Sequence, residues 1–297
     1  MTREGKIMIL TVLLTSLMAL ACVAPAETAQ KNDFQEREET NQTYPLTPGA
    51  RVEISSIRGS VKIVNTDSAT AEVRIIRTAR TRADLEYHKI EVEQTGNSLV
   101  VRGVQEPRER QERNIQVNHQ VILTLPRRID LKVNSISGSV RAGDLDGPLN
   151  VNSVSGSVIV GTISGKLYVN SVSGSVEVGN GGADARINSV SGNVGLGQVD
   201  GSLEVSSVSG SVKTTLTSLS PQGIHIRSVS GSIEIGFKSD VNADFNAEGI
   251  SGQVYLEIPN VIRENEEKSP NVRARIGAGG TPITISSVSG NIRLTRS

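Results

Sequence analysis

An all-β fold, a parallel β-solenoid or β-helix of 18-residue coils, is predicted by three features of this 297-residue chain. The first is the hexapeptide Asn152-Ser153-Val154-Ser155-Gly156-Ser157, whose glycine recurs at Gly138, Gly156, Gly174, Gly192 and Gly210 at a spacing of 18. It continues at Gly231 and Gly252 at a spacing of 21, then at Gly290 after an insertion, with a degenerate first copy at Gly59. A fixed short period means that each unit cannot bury its own apolar face and must stack on its neighbours. The second feature is the apolar spacing. Leu149, Val151, Val154, Val158, Val160, Ile163, Leu167 and Val169 follow one another in steps of 2, 3 and 4, so each coil is two nine-residue halves. A step of two is a strand with both side chains on one face, and the longer steps carry the chain around a turn. The third is a second glycine series, Gly147, Gly165 and Gly201 with Gly182 close by, nearly midway between the first. Two halves per coil favour two facing parallel sheets across a thin Val/Leu/Ile core over a triangular hexapeptide helix.

Taken in order, residues 1–21 read as a signal peptide. Arg3 and Lys6 precede the apolar stretch Ile7 to Leu20, and Ala19-Leu20-Ala21-Cys22 offers a cleavage site. Cys22 is the single cysteine, so no internal disulfide can form. Its position resembles a bacterial lipoprotein signal, in which the cysteine becomes the lipidated first residue, although Ala19 stands where leucine is usual. Cleavage after Ala21 or Ala26, releasing a soluble protein, is the alternative. Residues 22–48 are rich in Gln, Glu, Asn and Thr and read as a flexible tether.

Residues 49–129 read as an irregular β-rich cap, because a stack of coils needs a distinct first layer to cover its open edge. Within it, Thr81 to Lys89 predicts a short helix capped by Thr81, and Ile90 to Val101 a hairpin around Thr95-Gly96-Asn97. Residues 130–297 form the solenoid proper, with Asn260 to Ser269 as a surface loop and Ile283 to Leu294 as the final coil. In each repeat Gly156 and its equivalents are expected at positive φ. Val154 and Val158 are expected to point inward. Asn134, Asn152, Asn170 and Asn188 are expected to form a ladder, and Ser153 and Ser155 to bond turn amides.

Little catalytic chemistry is visible. A nucleophilic serine needs a base, and His88, His119 and His225, the three histidines, share no motif with the serines. Asp144, Asp146, Asp184 and Asp200 lie in the second set of turns, where β-helix enzymes acting on acidic polysaccharides group carboxylates. That column breaks at Ser164 and Gly182. Gly181-Gly182-Ala183-Asp184 is a lone approach to a calcium-binding nonapeptide, without acids in the neighbouring turns. The outward positions Arg141, Ile159, Glu177, Gly195 and Lys213 are too mixed for an ice-binding face. Glu106, Glu109 and Glu112 interleave with Arg108, Arg110 and Arg113, which reads as a solvated loop. Lys plus Arg, 31, equals Asp plus Glu, 31, and aromatics are 2%, which argues against a nucleic-acid surface. No cofactor or metal motif appears.

Val121-Ile122-Leu123-Thr124-Leu125-Pro126 leading into Leu131-Lys132-Val133-Asn134-Ser135-Ile136-Ser137-Gly138, followed by serial Ser-Val-Ser-Gly-Ser-Val, resembles a bacterial family of “putative adhesins” with β-strand repeats. The resemblance covers roughly residues 50 to 297 and implies a cell-envelope location, with no catalytic residues to carry over. The expectation is a non-enzymatic, exported envelope protein that presents a long surface to a protein or glycan, touching the membrane only through a lipid anchor. Its oligomeric state is open. A carbohydrate-active enzyme using turn aspartates, or an accessory part of envelope-stress signalling, are the alternatives.

Overall fold

The computed structural model describes residues 36–105, 117–249, 251–264 and 271–296. The 1–21 segment, Cys22 and the charged loop after Gln105 lie outside these residues. The described elements are β1 (Glu36–Pro45), β2 (Ala50–Thr66), β3 (Thr70–Ala79), α1 (Arg82–Tyr87), β4 (His88–Thr95), β5 (Ser98–Gln105), β6 (Val117–Pro126), β7 (Ile129–Ser137) and β8 (Val140–Ala142). Through the regular repeats run β9 (Leu149–Ser155), β10 (Val158–Ile163), β11 (Leu167–Ser173), β12 (Val176–Gly181), β13 (Ala185–Ser191), β14 (Val194–Gln198), β15 (Leu203–Ser209) and β16 (Val212–Leu216). There follow β17 (Ile224–Ser230), β18 (Ile233–Phe237), β19 (Ala243–Glu248), β20 (Val254–Glu257), β21 (Val261–Arg263), β22 (Val272–Ile276), β23 (Thr281–Ser289) and β24 (Ile292–Arg296).

Each 18-residue coil contributes one strand to each of two parallel sheets. Sheet I runs β5, β2, β7, β9, β11, β13, β15, β17, β23, β19. Sheet II runs β6, β2, β8, β10, β12, β14, β16, β18, β24, β20. Registers are locked by the repeat: Val151 pairs with Val169 in sheet I, and Val158 with Val176 in sheet II. Leu149, Val151, Val158, Val160 and Ile163 point between the sheets and are buried, as are their equivalents along the stack. Each such side chain contributes about 1.5–3 kcal/mol of transfer free energy. The continuous apolar stripe of every strand is therefore what holds the two sheets together.

The stack takes in more of the chain than residues 130–297. Strand β2 bends at Gly59, so Ala50–Ser55 pair with β7 and Val61–Ile63 with β8. The degenerate Gly59 copy is thus a rung of the solenoid, and β5 with β6 forms a further rung outside it. The 22–48 tether is also corrected in part. β1 lies along the edge of β3 as an antiparallel strand from Glu36 to Pro45. Its composition offers little to bury, but an edge strand is held by main-chain hydrogen bonds, and its charges are matched: Glu38 meets Arg77 and Glu39 meets Arg74, both at 2.6 Å. Leu46, which follows it, is fully buried.

Chain order and spatial order part company at the far end. β23 and β24, last in sequence, insert between the β17/β18 rung and the β19/β20 rung. The Gly252 coil is therefore the outermost, and β22 and β21 extend its sheet I edge antiparallel. At the near end, α1 begins at Thr81, whose side chain accepts from the Asp84 amide at 3.2 Å. It is followed by the β4–β5 hairpin around Gly96.

Candidate interaction surface

The repeated motif forms the corner where each coil passes from sheet I to sheet II. Strand alternation carries Leu149, Val151 and then Ser153 inward, and Ser153 is 3% exposed. Val154 follows on the opposite side and projects into solvent at 54% exposure. This corrects the inward placement expected for Val154. Where the sheets converge beside Gly156, the inward position holds only a hydroxymethyl group. The step of three from Val151 to Val154 joins an inward residue to an outward one and is not a core period. The same holds in the described copies from Gly138 onward, where Ile136, Val172, Val190, Val208, Val229 and Val288 are all exposed, whereas Ile57 of the degenerate Gly59 copy is buried.

Stacked coils turn these residues into a continuous aliphatic ladder with rungs about 4.8 Å apart. Between Val190, Val208, Val229 and Val288 the surface sinks into a largely apolar groove of about 420 Å³, edged by Asn188 and Arg227. Beside the ladder runs a column of amides: Asn152 donates to Asn134 at 2.8 Å, Asn170 to Asn152 at 2.7 Å and Asn188 to Asn170 at 2.7 Å. That column passes to Ser206 and then Arg227. On the other side lie the exposed serines Ser155, Ser173 and Ser191. The corner from β7 to β13 is therefore aliphatic, bordered by neutral polar groups.

The motif serines do not bond turn amides as expected. Ser171 and Ser189 donate to the carbonyls of Gly174 and Gly192 across 3.3 and 3.5 Å, and the buried hydroxyls of Ser153, Ser207, Ser228 and Ser287 have no partner. His225 is exposed on sheet I opposite Glu204, an outward position, whereas these serines point inward. The turn glycines follow a common geometry. Gly138, Gly156, Gly174, Gly192, Gly210, Gly231 and Gly290 have φ between 97° and 132°. Gly252 is absent from the positive-φ set, yet a β-carbon there would lie 2.2 Å from the Gly290 oxygen.

The turn aspartates are engaged with the backbone. Asp144 accepts from the Thr162 amide at 2.7 Å, and Asp184 accepts from the Ser202 amide and hydroxyl at 3.2 and 2.7 Å. Those Ser202 bonds hold the Asp184 carboxyl below its ordinary value. Asp200 instead accepts from a side chain, the Gln198 Nε2, at 2.9 Å. These contacts tie one coil to the next or close a local turn, and the lowered Asp184 carboxyl is the opposite of what a general acid needs. Among the described residues no group of three or more His, Cys, Asp or Glu could hold a metal ion, and no helix is long and apolar enough to cross a membrane.

A family profile described as Toastrack DUF4097 matches residues 50–295. This chain belongs to the Toastrack DUF4097 family. Ten solved chains also match. A “putative adhesin” from Bacteroides fragilis aligns with TM-score 0.49 and 16% identity, over 86% of this chain and 97% of that one. A “putative lipid binding protein” from Parabacteroides distasonis aligns with TM-score 0.46 and 13% identity, over 86% and 96%. A “putative adhesin” from the same species gives TM-score 0.39 and 11% identity, over 86% and 97%. None of the curated proteins matches. The Toastrack repeat thus spans both the irregular N-terminal strands and the regular coils, in keeping with the part β2 plays in the stack. What residue patterns missed is the outward valine column. The signal for it was the alternation Leu149, Val151, Ser153, which leaves Val154 on the solvent side.

Proposed function

We propose that this chain is an exported, non-enzymatic protein of the cell envelope that works as an adhesin-like binding scaffold through its valine corner. The observation that carries the reading is the unbroken aliphatic ladder, bordered by neutral polar groups from β7 to β15 and by Arg227 at the groove. Seven half-exposed side chains sum to on the order of 500 Å² of apolar surface, at the upper end of what a soluble monomer leaves uncovered without a use for it. Flanking Asn and Ser columns bring the strip toward the roughly 800 Å² per partner of a standard interface. Its chemistry selects the partner class. An aliphatic strip with the single cation Arg227 on its described groove edge offers little field for polyanions, and it lacks the aromatic faces on which sugars stack. The partner is a protein that presents an aliphatic ridge. The signal-like 1–21 segment and Cys22 supply the route to the envelope and a lipid anchor.

The test is crosslinking on intact cells, with mass spectrometry of the captured partner, comparing wild type with a Val190→Asn/Val208→Asn variant. Both positions are exposed, so folding is retained while the ladder is interrupted. Loss of one specific protein partner in the variant is the expected result. Unchanged capture overturns the assignment to the corner, capture of a glycan shifts the partner class, and turnover of a polysaccharide by the purified protein removes the non-enzymatic reading. Palmitate labelling that disappears in Cys22→Ala tests the anchor.

A further inference from the structure

A second feature lies at the near end of the stack, away from the groove. A cavity of about 200 Å³ opens there, with Arg58, His88, Gln105, His119 and Ile136 in its walls. Sequence position gives no hint that two of the three histidines meet. His119 lies on β6 directly opposite Gly59 of β2, and His88 begins β4, whose partner β5 packs on the same rung. The two rings stand edge to face, 6.2 Å between centroids.

His119 is 2% exposed, and neither of its ring nitrogens makes a well-aligned hydrogen bond to a described residue, although the His88 backbone lies close enough to favour its charged form. A buried imidazole so poorly satisfied is an exception among folded proteins and calls for an explanation. Arg58 stands at the mouth with no hydrogen bond or ion pair to a described residue. Burial first, then the charges of His88, Arg77 and Arg58, lower His119 to about 4 against a smaller opposing effect of the His88 backbone, and burial and Arg58 also lower His88. Arg77 is already committed, donating to the Leu85 and His88 carbonyls and to Glu38. Among the described residues, the Asp84 carboxylate acts on His88 in the opposite direction.

We propose that this cavity binds a small oxyanion, a carboxylate or phosphate group, between Arg58, His88 and His119. Among the described residues, donors converge there with Asp84, beside His88, as the nearby carboxylate. Arg58 offers a guanidinium fork suited to two oxygens, and each neutral imidazole offers one N–H. Once an anion enters, its charge offsets the repulsion from Arg58 and favours the imidazolium forms, so binding and proton uptake reinforce one another. A cation is disfavoured by the same charges, and no third His, Cys, Asp or Glu among the described residues joins the pair as a ligand. The volume corresponds to a few heavy atoms beyond the oxyanion itself, and Ile136 supplies an apolar wall for a short tail.

The chain's three histidines make the test direct, because exposed His225 serves as an internal control. Full-length protein with labelled histidine is titrated by NMR with inorganic phosphate, butyrate or chloride at constant ionic strength. Saturable shifts at His88 and His119 but not at His225 are expected, with the apparent pKa of His119 rising. Arg58→Gln, at an exposed position, should weaken the effective probe by about tenfold or more, the loss expected for one hydrogen bond to a charged group. Response to phosphate alone or to butyrate alone identifies the oxyanion. Shifts no larger than those with chloride, or shifts unaltered in Arg58→Gln, overturn the proposal. Partner capture at the valine corner does not enter this readout, so the two readings fail independently.

Discussion

Two separate strains should appear when the corner glycine Gly174 becomes alanine, and the structure allows each to be isolated. At Gly174 φ is 125°, and an added β-carbon would lie 2.3 Å from the Gly156 carbonyl oxygen of the coil below. Gly280 has φ 121° and nothing within 4 Å, so Gly280→Ala carries the backbone strain alone. Gly165 lacks positive φ, but a β-carbon there would sit 2.4 Å from the Gly147 carbonyl carbon, so Gly165→Ala carries the clash alone. An L-residue held in a sparsely populated φ region costs about 1–3 kcal/mol. Relieving the clash means parting two rungs by roughly 1 Å, against overpacking strain of about 1–3 kcal/mol. The rungs cannot part freely, because Gly156 N–H donates to Ser173 at 2.9 Å and Gly174 N–H to Ser191 at 3.0 Å. Gly174→Ala should therefore lose about 3–5 kcal/mol, near the sum of the other two, from a total typically about 5–15 kcal/mol. Urea unfolding of the three variants, followed by circular dichroism with slopes compared, measures each. If Gly174→Ala matches Gly280→Ala within about 0.5 kcal/mol, the close stacking of rungs is refuted as the reason for glycine at the corner.

Other outcomes follow from the same geometry. Ile187→Ala, in the core, should cost about 2–5 kcal/mol, whereas Val190→Ala, three residues on but outward, should stay within about 0.5 kcal/mol; thermal melts of the pair check this. Thr214→Val should raise the melting temperature, because the buried Thr214 hydroxyl has no partner and its neighbours along sheet II are Leu196 and Ile235. His119 is held neutral in the fold at about 4, below its unfolded value of 6.5, so its contribution is intact above pH 6.5 and is lost as pH falls toward 4. That loss amounts to at most about 3 kcal/mol. The difference in pH dependence between wild type and His119→Gln, by denaturant titration from pH 7 to 4, should show it. Asp184→Asn should weaken the Ser202 turn by no more than about 1 kcal/mol and leave partner capture unchanged.

The register of the regular coils and the two facing sheets were legible because the repeat fixes pairing: a period of 18 aligns Val151 under Val169 without further information. Residues at the corner were legible by spacing but not by direction. Glycine and serine break the alternation there, and only packing decides that Ser153 goes in and Val154 out. β1 was hidden because an edge strand held by main-chain bonds and ion pairs has no apolar pattern to announce it. The His88–His119 meeting was invisible for a different reason: it depends on β5, β2 and β6 being neighbours in an order the chain does not follow.

That reordering at both ends has a consequence for how such a body can change size. An ordinary stack frays from its last unit, since that unit is held on one side only. Here the outermost β19/β20 rung is linked through β21 and β22 to a strand pair lodged inside it, and the β5/β6 rung encloses β2 in the same manner. Each terminus is a clasp. Growth or shortening by whole units is thereby confined to the interior, between β9 and β16, where one 18-residue segment is interchangeable with the next. Gene duplication in that stretch would alter the molecule's reach by a fixed increment per copy, with both clasps and the cavity at the near end left as they are.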